Sequence, residues 1–180
     1  MKLIIIHGAE ATGKLTVAKS LASLSGIGLF HNHLSVDVTR TLFDFGDPRF
    51  SDLIWDVRLT VFEHAARADI DLIFTWAFSS SFMRHLERIE AVLKPYDAEI
   101  CSVFLQCDQD ERERRVISVE RRNKIHTVEK LRQIAITKDY APIPNALEID
   151  NTHRLPKDVA SQIINHFALQ TVRNAESANE

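Results

Sequence analysis

The sequence predicts an α/β protein in which a parallel β-sheet is covered by helices on both faces. Five short apolar segments alternate with longer segments that have helical periodicity. The short segments are mostly uniformly apolar, which is typical of parallel strands buried on both sides. The length of 180 residues fits one domain with a sizeable core. We expect that domain to span 1–173 and to be followed by a small, polar, flexible tail over 174–180.

The predicted strands are short runs rich in β-branched and aromatic residues. They are 3–6, a short strand that the turn at Gly26 leads into and that ends at Phe30, 71–76, 99–107 and 146–149. Ligands of open α/β sheets bind outside the carboxyl ends of the strands. The loops after Ile6, Phe30, Trp76, Cys107 and Ile149 are therefore where a functional site is expected.

The predicted helices lie between these strands and carry apolar residues three and four positions apart. They are 14–24, 33–45, 51–68, 79–93, 108–123, 127–140 and a last helix that Pro156 opens. Thr127 is expected to cap the sixth helix. Two helices have stripes that predict a buried face. The stripes are Leu34, Val38, Leu42 and Phe45 in the second helix, and Ile54, Val57, Val61, Ala65 and Ala68 in the third.

Composition and charge exclude several classes of protein. The net charge of −3 at pH 7 argues against a nucleic-acid-binding surface. The N-terminal apolar run is too short for a signal peptide, and no segment approaches the ~18 apolar residues of a membrane span. Cys101 and Cys107 lack metal-ligand spacing and are expected to be reduced thiols. We expect a soluble cytoplasmic protein with no nucleic-acid or membrane partner.

The loop after the first strand contains the G-x4-G-K pattern of a phosphate-binding loop, or P-loop. Glycines let the backbone curl around a phosphate, and the following helix adds the positive end of its dipole. Lys14 would reach the β- and γ-phosphates of a nucleotide. The alternative is a chance match in a strand–loop–helix connection. The predicted nucleotide-binding residues are Gly8, Ala9, Glu10, Ala11, Thr12, Gly13, Lys14, Leu15 and Thr16.

With this loop and this order of elements, the chain resembles the P-loop small-molecule and nucleotide kinases. That group includes shikimate kinase, gluconate kinase, chloramphenicol phosphotransferase and adenylate kinase. The resemblance implies a three-layer α/β/α P-loop NTPase fold with a five-stranded parallel sheet in the order 2-3-1-4-5 and a short lid at about 119–126. It also implies ATP and Mg²⁺ as cofactors, and transfer of the γ-phosphate of ATP to a small molecule. A monomer and a homodimer are both compatible with it.

One position of the motif departs from the usual pattern. Leu15 stands where a Ser or Thr hydroxyl normally contacts Mg²⁺, and Thr16 follows one residue later. A Lys-x-Thr order occurs in the adenylate-kinase-like branch of these kinases, where water carries more of the metal contact. Thr16 is therefore the hydroxyl expected near phosphate and, through water, near the metal.

The segment from Asp110 to Lys124 is rich in both signs of charge, which is typical of a solvated helix face. Phosphoryl transfer, however, loads charge onto the equatorial oxygens, and arginines commonly neutralise it. The resemblance places Arg115 near adenine or phosphate. It places Arg121 or Arg122 in the lid and implies a catalytic role for one of them, with Arg122 as the candidate.

Candidate acceptor-site residues follow the second predicted strand. His33 and Asp37 lie one helical turn apart, so either could accept the proton of an acceptor hydroxyl. The alternative is that they cap a helix or belong to a solvated face. His31, at the end of the second strand, is a candidate substrate-binding residue of the same site, and the resemblance adds Arg58; each of them is equally open to a structural role.

Two functional hypotheses remain from the sequence. The first is an ATP-dependent kinase whose acceptor is a small molecule. The second is a nucleotide-binding regulator or slow NTPase without an acceptor. The missing hydroxyl after Lys14, and the absence of an Asp after the third strand at Thr75-Trp76-Ala77-Phe78, favour the second slightly. For Trp76 and Phe78, a substrate wall and plain core packing are the alternatives.

Overall fold

The computed structural model describes residues 1–77, 83–117 and 127–172. Strands and helices alternate through these residues. The strands are β1 Lys2–His7, β2 Gly28–His31, β3 Leu72–Trp76, β4 Glu99–Gln106 and β5 Leu147–Asp150. The helices are α1 Lys14–Ser25, α2 Asn32–Arg40, α3 Pro48–Arg67, α4 Met83–Leu93, α5 Gln109–Val116, α6 Val128–Thr137 and α7 Pro156–His166. A short 3₁₀ helix, Lys94–Tyr96, follows α4.

The five strands form one parallel sheet in the order β2-β3-β1-β4-β5. This order confirms the expected 2-3-1-4-5 topology. β1 is central, so that its residue Ile5 lies between Phe74 of β3 and Ser102 of β4. The loop after β1 therefore opens between the carboxyl ends of two neighbouring strands, where ligands of such sheets bind.

Helices cover both faces of the sheet, and β1 contributes to the core on each side. Ile4 and Ile6 pack with residues of α1 and α7 on one face, whereas Leu3 and Ile5 pack with residues of α3 and α4 on the other. The alternation follows from the two-residue period of a strand. All four residues are fully buried, as expected for a strand covered on both faces.

The prediction for the second helix is wrong in its end and in its buried face. α2 ends at Arg40, and the stripe of Leu34, Val38, Leu42 and Phe45 is exposed by between 42% and 70%. The buried positions of α2 are Ser35 and Thr39, whose hydroxyls donate to the carbonyls of Asn32 and Ser35 at 2.9 and 2.8 Å. Small hydroxyl side chains face inwards because α2 packs beside a polar group of α3, described below, and not against apolar surface.

The predicted face of α3 is shifted around the helix. Ile54 is buried as expected, but Val57, Val61 and Ala65 are only partly buried and Ala68 is exposed. The side chains buried with Ile54 are Phe50, Trp55, Arg58, Phe62 and Ala66. Large aromatic side chains remove more apolar area from water than Val or Ala, so they determine which face packs.

Several ends of helices agree with the sequence. The Thr127 side chain caps α6 by accepting from the Lys130 amide at 3.2 Å, and Pro156 opens α7. α6 ends at Thr137, before the predicted end at 140. The predicted lid at 119–126, with Arg121 and Arg122, lies outside the described residues, as do Phe78, 79–82 and the tail from 173. Among the described helices, none has the length and apolar character needed to cross a bilayer.

Candidate active site

Two glycines give the loop after β1 its shape. Gly8 has a φ of +135° and Gly13 a φ of +94°, values that side chains rarely allow. A Cβ atom on Gly8 would lie 2.4 Å from the backbone oxygen of Leu105. Only glycine can therefore occupy this position, where the loop passes close to β4. Ala11 also has a positive φ, of 64°. The backbone therefore curls tightly between β1 and α1, as a phosphate loop requires.

Carbonyl groups of this loop are held by side chains from the neighbouring elements. Arg112 Nε donates to the Glu10 carbonyl at 2.9 Å. Asn151 Nδ2 and Arg115 Nη1 both donate to the Thr12 carbonyl, at 2.6 and 3.1 Å. These bonds fix the backbone of the loop before any ligand binds, which is the preorganisation that an anion cradle needs.

Lys14 begins α1 directly after the loop and folds back over it. Its ammonium donates to the carbonyls of Gly8 and Ala9 at 2.9 and 2.5 Å. The side chain thus lies at the amino end of α1, where the backbone amides of the first turn have no partner within the helix and the dipole favours anions. Leu15 is partly buried, and the next residue, Thr16, is exposed.

Glu10 is the acidic residue inside the phosphate loop, and its carboxylate is held by two residues that follow α6. Lys138 Nζ lies 2.8 Å from one carboxylate oxygen, and the Tyr140 hydroxyl donates to the other. Burial opposes ionisation, but the hydrogen bonds from Lys138 and Tyr140 outweigh it and hold the pKa of Glu10 below its usual range. The carboxylate is therefore charged and paired at neutral pH.

His7 ends β1 immediately before the loop and is fully buried. Its Nε2 atom lies 3.0 Å from the Ser102 hydroxyl, and its ring lies 5.2 Å from that of Phe104. Burial, together with the nearby Lys14 ammonium, lowers the pKa of His7 to about 3. The imidazole is consequently neutral at physiological pH.

Arg115 joins the phosphate loop to the connection between β5 and α7. Besides its bond to Thr12, it donates to the carbonyls of Asn151 and Thr152 at 2.8 and 2.9 Å. Glu111 orients it with an ion pair of 2.7 Å. Hydrogen bonds from Arg114 and Arg115 lower the pKa of Glu111 to about 2, so this pair stays charged.

Arg58 is a buried cation near the carboxyl end of β2. Its guanidinium donates to the Ser35 hydroxyl at 3.0 Å and to Asn32 Oδ1, and it lies over the Trp55 ring at 4.7 Å. Only 4% of the residue is exposed, and burial lowers the pKa of Arg58 to about 10. Within the part of the chain that the structure describes, no carboxylate forms an ion pair with it.

The structure brings His31 and His33 together but leaves Asp37 apart. The two imidazole rings are 6.0 Å between centroids, and both residues are partly buried. Asp37 is exposed, and it has no hydrogen bond or ion pair with any described residue. The helical spacing that predicted a contact between His33 and Asp37 is present, but their carboxylate–imidazole contact is not formed.

An aromatic cluster lies beside Arg58. Trp55 stacks on His85 at 4.0 Å and 7°, and it meets Trp76 edge-on at 5.1 Å. Trp76 is 3% exposed and belongs to the core on the α3 side of the sheet, as the packing alternative predicted. Burial and the neighbouring arginines lower the pKa of His85 to about 4.

Solved structures with the same arrangement of elements are numerous. A tunicamycin resistance protein from Deinococcus radiodurans is 22% identical, with a TM-score of 0.62 over 95% of this chain and 98% of its own. A gluconokinase from Sinorhizobium meliloti is 13% identical, with a TM-score of 0.65 over 99% of this chain and 95% of its own. A sugar kinase from Janibacter is also 13% identical, with a TM-score of 0.64 over 94% and 95%. No protein-family model and no curated protein matches the sequence.

The fold is that of the P-loop small-molecule kinases. In this P-loop kinase fold the nucleotide-binding candidates from Gly8 to Thr16 and Arg115 gather at the carboxyl end of β1. His31, His33 and Arg58 gather separately, at the end of β2. Arg122, the catalytic candidate of the lid, lies outside the described residues.

The residues described in this P-loop kinase fold do not form a ready-made metal cage. Among them, no group of three or more His, Cys, Asp or Glu side chains is placed to hold a metal ion. The phosphate loop offers Leu15 where a hydroxyl would contact Mg²⁺, and the next hydroxyl is on the exposed Thr16. The donor set therefore fits a metal held mainly by phosphate oxygens and water, as Mg²⁺ commonly is.

Sequence reasoning missed three residues of the site. His7 gave no signal because it follows the predicted strand 3–6 and belongs to no recognised motif. Lys138 and Tyr140 lie 128 and 130 positions from Glu10 in the chain, and no motif links them to it. Only the tertiary structure places them against the phosphate loop.

Proposed function

We propose that the protein is an ATP-dependent phosphotransferase that moves the γ-phosphate of ATP to a small-molecule acceptor. The observation that carries the proposal is the preformed loop between β1 and α1. Its glycine geometry, its anchored carbonyls and the Lys14 ammonium at the start of α1 suit a nucleoside polyphosphate. The fold, which this chain has in common with several small-molecule kinases, supports the same reading.

On this proposal, the β-phosphate lies in the loop and Lys14 exchanges its bonds to Gly8 and Ala9 for bonds to phosphate oxygens. The new bonds would join two ionised groups, the ammonium and the phosphate, so they would be stronger than the bonds to neutral carbonyls that they replace. Arg115 would bring the loop of Asn151 and Thr152 against the adenine. Mg²⁺, when bound with ATP, supplies charge neutralisation on the phosphate oxygens. Thr16 would meet that metal through water.

The acceptor is proposed to lie at the carboxyl end of β2. Arg58 is a buried cation without an ion pair in the described chain, so an anionic group on the acceptor would complete its environment. His31 would line the same pocket. His33 is the proposed proton acceptor and Asp37 the alternative, while Arg122 would neutralise the departing phosphoryl group.

The remaining properties of the protein are part of the same proposal. We place the enzyme in the cytoplasm, as a monomer or homodimer, acting on small molecules and not on nucleic acids or membranes.

The test combines nucleotide binding with an acceptor screen. Titration calorimetry should give an ATP affinity that Lys14→Ala lowers about 10- to 100-fold, because a hydrogen bond to a charged group contributes about 1.5–3 kcal/mol. Lys19→Ala removes an exposed lysine of the same helix and should bind ATP as the wild type does. Incubation of γ-labelled ATP with a panel of small anionic hydroxy compounds should then yield a labelled product. Equal ATP affinities for all three proteins would rule out the P-loop assignment.

The second candidate, a nucleotide-binding regulator or slow NTPase, is favoured by two residues. Leu15 replaces the metal-facing hydroxyl, and β3 ends in Thr75-Trp76 without a carboxylate. The same screen separates the candidates. Label found only in free phosphate, or retained in ATP despite tight binding, would support the regulator over the kinase.

A further inference from the structure

Glu10 places a negative charge within the loop that is proposed to receive a polyphosphate. Its backbone lies between Gly8 and Lys14, and its side chain is only 16% exposed. An unpaired carboxylate at this point would repel an incoming nucleotide, and partial burial would strengthen that repulsion. The loop can therefore bind a polyanion well only if the charge of Glu10 is offset by another group.

Lys138 and Tyr140 supply that offset. The ammonium lies 2.8 Å from one carboxylate oxygen, and the tyrosine hydroxyl donates to the other, so both acceptor atoms of Glu10 are engaged. Lys138 also lies over the Tyr140 ring at 5.9 Å. The pair is thus part of a built contact and not a chance meeting of two long exposed side chains.

The same loop residue is held from the other side by α5. Arg112 Nε donates to the Glu10 carbonyl at 2.9 Å, and Arg112 is itself only 9% exposed. Arg112 precedes residues 118–126 in the chain, whereas Lys138 and Tyr140 follow them. Glu10 is consequently bonded to residues that come before the predicted lid segment in the sequence and to residues that come after it.

We propose that Lys138 is a positioning residue which, with Tyr140, neutralises Glu10 and so keeps the phosphate loop able to bind a nucleoside polyphosphate. This inference rests on the proposed function, because it concerns the same phosphate site. Lys138 acts through Glu10 and does not need to touch the nucleotide. The competing arrangement is a Lys138 that leaves Glu10 and contacts a phosphate directly.

The two arrangements differ in how Lys138 and Glu10 variants combine. If Lys138 acts through Glu10, Lys138→Ala should weaken ATP binding about 10- to 30-fold, the size expected for one unscreened charge several ångströms from a polyanion. Glu10→Gln should bind ATP more tightly than the wild type, because the loop loses its negative charge while Lys138 keeps its positive charge. The double variant should bind ATP like the wild type, within about threefold, because it lacks both charges and so has the same net charge as the Glu10–Lys138 ion pair.

Calorimetric titration of ATP, ADP and adenosine into these proteins tests the proposal. The loss of affinity in Lys138→Ala should be smaller for ADP than for ATP and absent for adenosine, because the uncompensated Glu10 carboxylate repels the negative charges of the phosphates. Lys130→Ala, an exposed lysine on α6, is the matched control. Lys138→Met keeps the aliphatic part of the side chain over the Tyr140 ring. It is used in place of Lys138→Ala if thermal unfolding without nucleotide shows that Lys138→Ala is unfolded.

Each outcome decides between the arrangements. A double variant as weak as Lys138→Ala alone would mean that Lys138 binds phosphate itself, and would overturn the proposal. Wild-type affinity in both Lys138 variants would overturn it as well, while leaving the proposed function intact if Lys14→Ala still loses ATP. A wild-type protein that binds none of the nucleotides would refute the proposed function, and this inference with it.

Discussion

The buried His7 imidazole should make the folded state sensitive to mild acid. The pKa of His7 is about 3 in the folded protein, against about 6.5 for an unperturbed histidine. A lowered pKa means that the unfolded chain takes up the proton first, so stability is complete above about pH 6.5 and is lost as the pH falls towards 3. Between pH 7.5 and 5.0 the loss from this one group is about 2 kcal/mol, since each pH unit below 6.5 costs about 1.4 kcal/mol.

Urea unfolding at the two pH values measures this loss. His7→Gln retains an amide that can bond to Ser102 but does not titrate, so its free energy of unfolding should fall about 2 kcal/mol less than that of the wild type over the same interval. The comparison uses the change with pH, so any constant cost of the substitution cancels. His64→Gln, at an exposed position of α3, should keep the wild-type pH dependence. Identical pH dependences for wild type and His7→Gln would show that His7 is not held neutral.

Three further predictions concern the phosphate loop and the acceptor pocket. Gly8→Ala should lower the free energy of unfolding in urea by about 3 kcal/mol and abolish ATP binding, because the added Cβ would meet the Leu105 carbonyl. Gly46→Ala is the control: Gly46 also has a positive φ but no atom within 4 Å of the added Cβ, so the cost should be only about 1 kcal/mol. Leu15→Ser should leave the ATP affinity in Mg²⁺ buffer unchanged or slightly tighter by calorimetry. Arg58→Met should abolish labelled product yet keep the melting temperature within a few degrees, because a buried cation without an ion pair contributes little net stability; a large drop in melting temperature would assign it a structural role.

The parallel sheet covered on both faces and the phosphate loop could be anticipated because each depends on local sequence. Uniformly apolar strands identify a two-sided parallel sheet, and a strand followed by G-x4-G-K and a helix identifies the loop. Leu3 to Ile6 and Gly8 to Lys14 carry those signals within twelve residues. The sheet order itself came from the resemblance, since periodicity does not reveal which strands are neighbours.

The contacts that complete the loop could not be anticipated, because they join residues far apart in the chain. Arg112 and Arg115 lie about a hundred residues from the carbonyls that they hold, and Lys138 lies 128 residues from Glu10. A charge-rich segment such as 110–116 is typical of a solvated helix face, because the spacing of residues within a helix does not show which other element the helix contacts. Burial of Arg112 to 9% exposure shows that this reading is wrong for at least one of its arginines.

The failed prediction for α2 has a physical cause at the proposed acceptor site. An apolar stripe packs inwards only when the neighbouring element offers apolar surface, and here α3 presents the Arg58 guanidinium. That group needs oxygen acceptors, so Ser35 and Asn32 face it, and the helix turns Leu34 and Val38 outwards. A helix that exposes its apolar side in order to satisfy a buried cation loses hydrophobic stabilisation, and such departures from local rules are expected at functional sites. The place where the sequence pattern misleads is thus the place where we propose that the acceptor binds.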